Sequence, residues 1–150
     1  EEIYVLNQDL IPMIGSLNSS NELKNLIEKS SHSFYIENKG KLVAFIVCFR
    51  ENSEYRSPNY KHFDHKYEKF IYIDRVGVTK TLENRGIGTY LYKYMFDINA
   101  VDKLPICAEV NIEPKNEISL NFHKKLGFIE TSEKLIKSGY RVKYLEKNVR

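Results

Sequence analysis

Gly86 and Gly88 are the residues whose type and spacing speak most directly of chemistry. In Phe70 to Leu91, FIYIDRVGVTKTLENRGIGTYL, an apolar strand-like run passes through a polar turn into Gly86-Ile87-Gly88. Ile87, Leu91, Met95 and Ile98 then recur at helical spacing. A helix that begins this way offers unpaired backbone N–H groups at its positive end, and the glycines keep side chains aside, so a phosphate-like anion can approach the main chain. A Walker loop is disfavoured, because no Gly-x4-Gly-Lys-Ser/Thr run occurs. A dinucleotide fingerprint fails as well, since Leu91 stands where its third glycine belongs.

The elements that must position this loop follow from patterning. Leu6 to Ile14 and Asn21 to Lys29 have helical periodicity, the second introduced by Ser19-Ser20-Asn21 as capping residues. Ser33 to Glu37 and Lys41 to Phe49 read as strands joined at Asn38-Lys39-Gly40, a hairpin signal. Arg50 to Lys69 is polar and aromatic, contains Pro58, and reads as a long functional loop with room for a helical turn. Pro105 to Asn111 is a second buried strand interrupted by Glu109, and the strand-helix-strand order implies parallel pairing through a right-handed crossover. Asn116 opens a helix carrying Ile118, Phe122 and Leu126, with Gly127 placed to end it, and Phe128 to Ile136 and Tyr140 to Leu145 are the final strands.

With 150 residues, 42% hydrophobic and 29% charged, the chain is expected to form one domain over residues 1–150 with a single ordinary core. The net charge of +3 comes from 23 basic and 20 acidic residues scattered without a basic run, which argues against a nucleic-acid partner. No apolar run reaches membrane-span length and no signal-peptide pattern opens the chain, so no membrane partner and a cytoplasmic location are expected. Cys48 and Cys107 lie in separate apolar runs and read as buried reduced thiols. His62-x-x-His65, with Asp64 between, has too few companion ligands for a metal site, and no metal is expected. Because Glu1 is not a methionine, the first strand is expected to be incomplete.

The element order and three separate motifs resemble the GNAT superfamily of acyl-CoA-dependent N-acetyltransferases. The family's acyl-CoA loop, Gln/Arg-x-x-Gly-x-Gly/Ala at a helix start, is matched by Glu83-Asn84-Arg85-Gly86-Ile87-Gly88, with Glu83 departing from the usual first residue. Asn116-x-x-Ser119-x-x-Phe122-His123, running on to Leu126-Gly127-Phe128, is similar to Asn-x-x-Ala-x-x-Leu-Tyr-x-x-x-Gly-Phe, with His123 at the tyrosine position. SPNYKHF (Ser57 to Phe63), FIYIDRVGV (Phe70 to Val78) and EVNIEPKN (Glu109 to Asn116) look like a bacterial subgroup of the superfamily.

The resemblance implies an α+β fold: a mixed, mostly antiparallel central sheet with a splayed parallel strand pair, flanked by helices. It implies acetyl-CoA as cosubstrate, held by Asn84, Arg85, Gly86, Ile87, Gly88 and Thr89 at the pyrophosphate and by Val76, Gly77 and Val78 along the pantetheine, with Asn116 and Ser119 nearby. An acceptor amine, on a small molecule or a peptide, would attack directly in a ternary complex. Glu109 is the favoured base and Asp74 the second candidate, since each sets a carboxylate in an apolar strand where desolvation raises its pKa. His123 would protonate the departing thiolate. Tyr55, Asn59, Tyr60, His62 and Tyr67 are the proposed acceptor wall, their aromatic faces suited to a cationic amine. For Asp74 the alternative is a structural pair with Arg75, and for Asn116 a helix cap. Transfer of another acyl group and a non-catalytic acyl-CoA sensor are the rival functions, and the superfamily resemblance admits a homodimer.

Overall fold

The computed structural model describes residues 1–148. The chain enters directly into helix α1 (Glu2–Asp9), with no strand before it among the described residues. The helix expected over Leu6 to Ile14 therefore lies earlier and is shorter. Pro12 has no N–H to give a helix interior and disfavours helical geometry in the residue before it, so the chain leaves the helix at Leu10. Helix α2 (Ser20–Lys29) starts where the serines predict, with the Ser19 hydroxyl accepting from the Glu22 N–H at 3.2 Å. Leu23 and Leu26 carry its buried face.

Strands β1 (His32–Asn38) and β2 (Lys41–Arg50) form the expected hairpin. Lys39 and Gly40 both take positive φ, the geometry whose twist suits a two-residue connection. The segment expected to be mostly loop instead contains helix α3 (Pro58–Lys66). Its start is Ser57-Pro58: the serine hydroxyl caps the Tyr60 N–H at 3.4 Å, and proline sits where no donor is required. Strand β3 (Ile71–Val78), a 3-10 turn over Lys80–Leu82 and helix α4 (Ile87–Ile98) follow. Strand β4 (Ile106–Glu113), helix α5 (Glu117–Lys125) and strands β5 (Ile129–Lys137) and β6 (Tyr140–Lys147) complete the described chain.

The six strands form one sheet in the order β1-β2-β3-β4-β6-β5, antiparallel throughout except for β3 and β4. Those two meet in parallel only at Ile71 with Ile106 and Tyr72 with Cys107, and then diverge. The fold is thus the α+β arrangement with a splayed parallel pair that the resemblance implies. One apolar core packs α1, α2 and α3 on one face of the sheet, through Leu6, Leu23, Leu26, Tyr60 and Phe63. A second packs α4 and α5 on the other, through Leu91, Tyr92, Met95 and Phe122. Cys48 and Cys107 are buried and unpaired, and burial raises both thiol pKa values.

A bulge sits where the two strands part. Val47 pairs with Arg75 and Cys48 with Ile73, leaving Asp74 as the extra residue of β3. Tyr72 belongs to the α3-side core, whereas Val76 and Val78 pack on the α4-side core. Strict alternation would place all three on one face; the bulge reverses the facing of everything after it.

Candidate active site

Past Tyr72 and Cys107 no strand lies between β3 and β4, and the gap opens into a cavity of about 220 Å³. It is lined from the α3 side by Tyr55, Asn59, Asp74, Arg75 and Glu109, and from the α4 and α5 side by Tyr92, Ser119 and His123. The cavity therefore connects the two faces through the sheet.

Glu109 projects from β4 and is held by two donors: the Tyr72 hydroxyl at 2.6 Å on Oε2 and the Asn59 amide at 3.3 Å on Oε1. Asn59 is oriented in turn, its Oδ1 accepting from the Tyr144 hydroxyl at 2.9 Å. Burial, reinforced by the Asp74 carboxylate, raises the Glu109 pKa to about 8, against the opposing pull of Tyr72, Asn59 and Arg75. Desolvation disfavours the ion more than two hydrogen bonds favour it.

Asp74 accepts from the Tyr55 hydroxyl at 2.6 Å and from Arg75 Nε at 2.6 Å. Arg75 also donates through Nη1 to Asn7 Oδ1 at 2.9 Å and to the Gly15 carbonyl at 3.1 Å, tying β3 to α1 and the segment after it. Burial opposes the Arg75 charge, and Asp74 more than offsets it, so the guanidinium pKa is raised.

On the other face, His123 is buried, with Nδ1 2.7 Å from the Ser119 carbonyl and Nε2 2.7 Å from the Tyr92 hydroxyl. A carbonyl can only accept, so Nδ1 carries the proton and Nε2 accepts from Tyr92. Burial lowers the His123 pKa to about 4, and the ring is neutral at physiological pH.

The glycine loop stands at the start of α4. Gly86 is its N-cap at φ +81°, and a β-carbon there would meet nothing within 4 Å. The first intrahelical bond runs from the Tyr90 N–H to the Gly86 carbonyl at 2.9 Å, so the N–H groups of Ile87, Gly88 and Thr89 precede the helical ladder. Gly88 is close to Phe122, its missing β-carbon 3.4 Å from the ring. Open space, a left-handed glycine and free donors together fit a pyrophosphate.

A profile of the Acetyltransferase (GNAT) family matches residues 5–128. The chain belongs to that family. Among curated proteins none matches the sequence. Solved structures share the GNAT fold at low identity. Arabidopsis thaliana Naa50, in complex with the bisubstrate analogue CoA-Ac-MVNAL, is 20% identical with a TM-score of 0.72, covering 98% of this chain and 90% of that one. The ribosomal-protein-S18-alanine N-acetyltransferase from Escherichia coli is 14% identical with a TM-score of 0.71, over 99% and 86%. The protein smu.2055 from Streptococcus mutans is 17% identical with a TM-score of 0.75, over 99% and 92%.

In this GNAT chain the cavity gathers Glu109, Asp74, His123, Tyr55, Asn59, Val76 and Ser119 from the residues singled out in the sequence. The other three of the expected acceptor wall lie elsewhere. Tyr60 is in the core with its hydroxyl donating to the Arg50 carbonyl at 2.7 Å, His62 stacks on Tyr144 at 3.9 Å between centroids, and Tyr67 donates to the buried Glu146, which also pairs with Lys66. They fasten α3 to the sheet, because a nine-residue helix turns only one face toward the gap. Asn116 caps α5, its Oδ1 accepting from the Ser119 N–H at 3.2 Å. Gly77 has packing reasons of its own: a β-carbon would lie 2.6 Å from the Phe45 ring. Tyr72, Tyr92, Tyr140 and the turn Met13–Gly15 escape the sequence reading. Tyr72 carried a signal as the polar-tipped residue two before Asp74; the turn carried none.

Proposed function

We propose that this GNAT protein is an N-acetyltransferase that moves an acetyl group from acetyl-CoA to a primary amine by direct attack. The observation that carries the reading is Glu109, a half-buried carboxylate of raised pKa facing the gap between β3 and β4, with the Gly86 cradle on the same α4 that supplies Tyr92. Structural likeness to N-acetyltransferases, one of them held with a CoA-containing bisubstrate analogue, supports it.

Acetyl-CoA supplies a thioester carbonyl open to attack. Gly86, Ile87, Gly88 and Thr89 would hold its pyrophosphate through the main chain, with Asn84 and Arg85 beside them, and the free β3 edge over Val76, Gly77 and Val78 would take the pantetheine. Glu109 takes one proton from the ammonium and passes it to solvent. The amine nitrogen then forms the new N–C bond as the C–S bond breaks, and its second proton is the one that ends on sulfur. Asp74, committed to Tyr55 and Arg75, shapes the field around Glu109 rather than acting as the base.

The neutral His123 has no proton to spare, so its part is to orient the Tyr92 hydroxyl. Burial raises the Tyr92 pKa well above its ordinary value, so the hydroxyl keeps its proton. Its single O–H, held on His123 Nε2 in the free protein, would turn to the leaving sulfur as a hydrogen-bond donor.

The test is the pH dependence of thiol release with acetyl-CoA and a panel of amines. The expected kcat/KM climbs with pH toward about 8 and levels off, following ionisation of Glu109. Acetyl-CoA binding with no amine-dependent thiol release, in a panel including peptides, would make the protein a cofactor sensor instead. A faster reaction with longer acyl-CoA thioesters would replace the acetyl assignment.

A further inference from the structure

Arg75 has more donors than the protein uses. A guanidinium carries five N–H bonds. Three are accounted for: Nε toward Asp74, and Nη1 toward Asn7 and the Gly15 carbonyl. Nη2 makes no hydrogen bond among the described residues, although the Arg75 side chain is only 8% exposed. The Tyr55 oxygen, whose hydroxyl donates to Asp74, keeps lone pairs and lies near enough to favour the guanidinium charge, but it makes no well-aligned hydrogen bond with Nη2. Nor is Nη2 sealed in protein: among the described residues the one fully enclosed side-chain nitrogen or oxygen lacking a partner is Nε2 of His62. Arg75 lines the cavity together with Gly15, where a β-carbon would stand 3.6 Å from Nη2. A pair of charged N–H donors thus borders the cavity that holds the Glu109 carboxylate.

We propose that the acceptor is a free amino acid, its carboxylate bound by Nη2 of Arg75 and its amino group presented to Glu109. The proposal rests on the amine-acetylation reading above and names the acceptor class within it. Two features favour this class over a peptide N-terminus or a simple alkylamine. Asp74 and Arg75 neutralise one another, so the wall facing Glu109 offers directed donors without net charge, which suits a zwitterion. An amine with no anionic group leaves Nη2 to solvent and the nearby Tyr55 oxygen, whereas an acidic partner gains charge-assisted bonds there. The cavity, at about 220 Å³, is also below the usual range of small-molecule pockets, about 300 to 1,000 Å³, in keeping with a compact acceptor.

The experiment compares each of the common amino acids with its own α-carboxamide as acceptor for acetyl-CoA, reading thiol release. The two share the side chain and differ in the negative charge, which also makes the amine of the acid more basic, so kcat/KM is compared across pH at equal free-amine concentration. For the preferred side chain, kcat/KM is expected to be about ten- to a hundred-fold higher for the acid, mostly through KM, as for a hydrogen-bonded charge. Arg75→Lys keeps a cation for Asp74 but loses the second donor pair, and the acid-to-carboxamide ratio should collapse toward one. Should that variant fail to fold, the wild-type ratio decides alone. Carboxamides or short peptides used as well as or better than the free acids would overturn the amino-acid assignment while leaving amine acetylation standing. Thiol release with neither set, nor with simple amines, would bring down both.

Discussion

The two faces of the sheet at the gap are built from opposite materials. On the α3 face, Glu109, Asp74, Arg75, Tyr55, Tyr72 and Asn59 form one connected set of charges and short hydrogen bonds. On the α4 and α5 face, a neutral His123, Tyr92, the Ser119 carbonyl and the glycine-led helix start present dipoles and no paired charge. An ammonium must lose a proton, and that calls for a carboxylate whose affinity for protons has been raised. A large anionic cosubstrate needs donors that demand no counter-charge. In the proposed mechanism this division assigns proton transfer to one face and anion binding to the other, with the separation of β3 and β4 as the passage between.

The sharpest way to break this division is to put charge on the neutral face. Gly86→Asp adds a carboxylate and forces a β-carbon onto a φ of +81°, so acetyl-CoA binding should be lost and turnover with it. Thermal unfolding is the check. In the unaltered protein, acetyl-CoA at about 100 times its dissociation constant contributes about 2.7 kcal/mol, which should raise Tm by several degrees; in the variant that rise should vanish. A retained rise would place the cosubstrate elsewhere.

Next in size is the converse change, removing the proton-accepting carboxyl from the α3 face. Glu109→Gln should lower kcat by about 10² to 10⁴ while sparing the acetyl-CoA-dependent rise in Tm. It should also change the pH dependence of stability. The folded pKa of Glu109, about 8, is above the 4.5 of an ordinary glutamate, so the native state holds a proton that the unfolded chain releases. Stability contributed by that proton is complete below about pH 4.5 and is lost as pH rises through about 8. Urea unfolding across that window should show the decline, and Glu109→Gln should remove its share. Activity rising over the same interval would mean that the protein gains function where it loses stability.

Much of this division could be read in the chain before the fold was known, and the limits were physical. Gly86 and Gly88 marked the start of α4, and with it the proposed anion cradle, because glycine at a helix start has a local conformational meaning. Glu109 stood out as a carboxylate in an apolar run. The face of Asp74 and Arg75 could not be read, since period-two reasoning assumes an unbroken ladder and the bulge at Asp74 reverses it. Arg75 is held by Asn7 and Gly15, far away in sequence, and nothing local announces that contact. For α3, Ser57-Pro58 was a sound start signal, but the aromatic and charged residues after it have weak amphipathic order, and the segment took the appearance of loop.

The next prediction perturbs the base without removing it. Tyr72→Phe deletes the 2.6 Å donor to Glu109, one of the groups holding its pKa down, so the rising limb of the pH–rate profile should move to higher pH. At pH 7 kcat/KM should fall about two- to ten-fold, recovering as pH is raised. A uniform loss at every pH would mean that Tyr72 acts by packing alone.

The smallest effect is expected across the gap. His123→Phe removes the acceptor of the Tyr92 hydroxyl but no proton needed for transfer, because the ring is neutral with its single proton on the Ser119 carbonyl. Turnover should fall by less than about ten-fold, with no change in the pH profile, since thiolate is a tolerable leaving group that Tyr92 only assists. A loss approaching that of Glu109→Gln would mean that protonation of the sulfur limits the reaction and that His123 becomes charged when the cosubstrate is bound. The two faces would then share proton transfer, and the contrast between them would describe only the free protein.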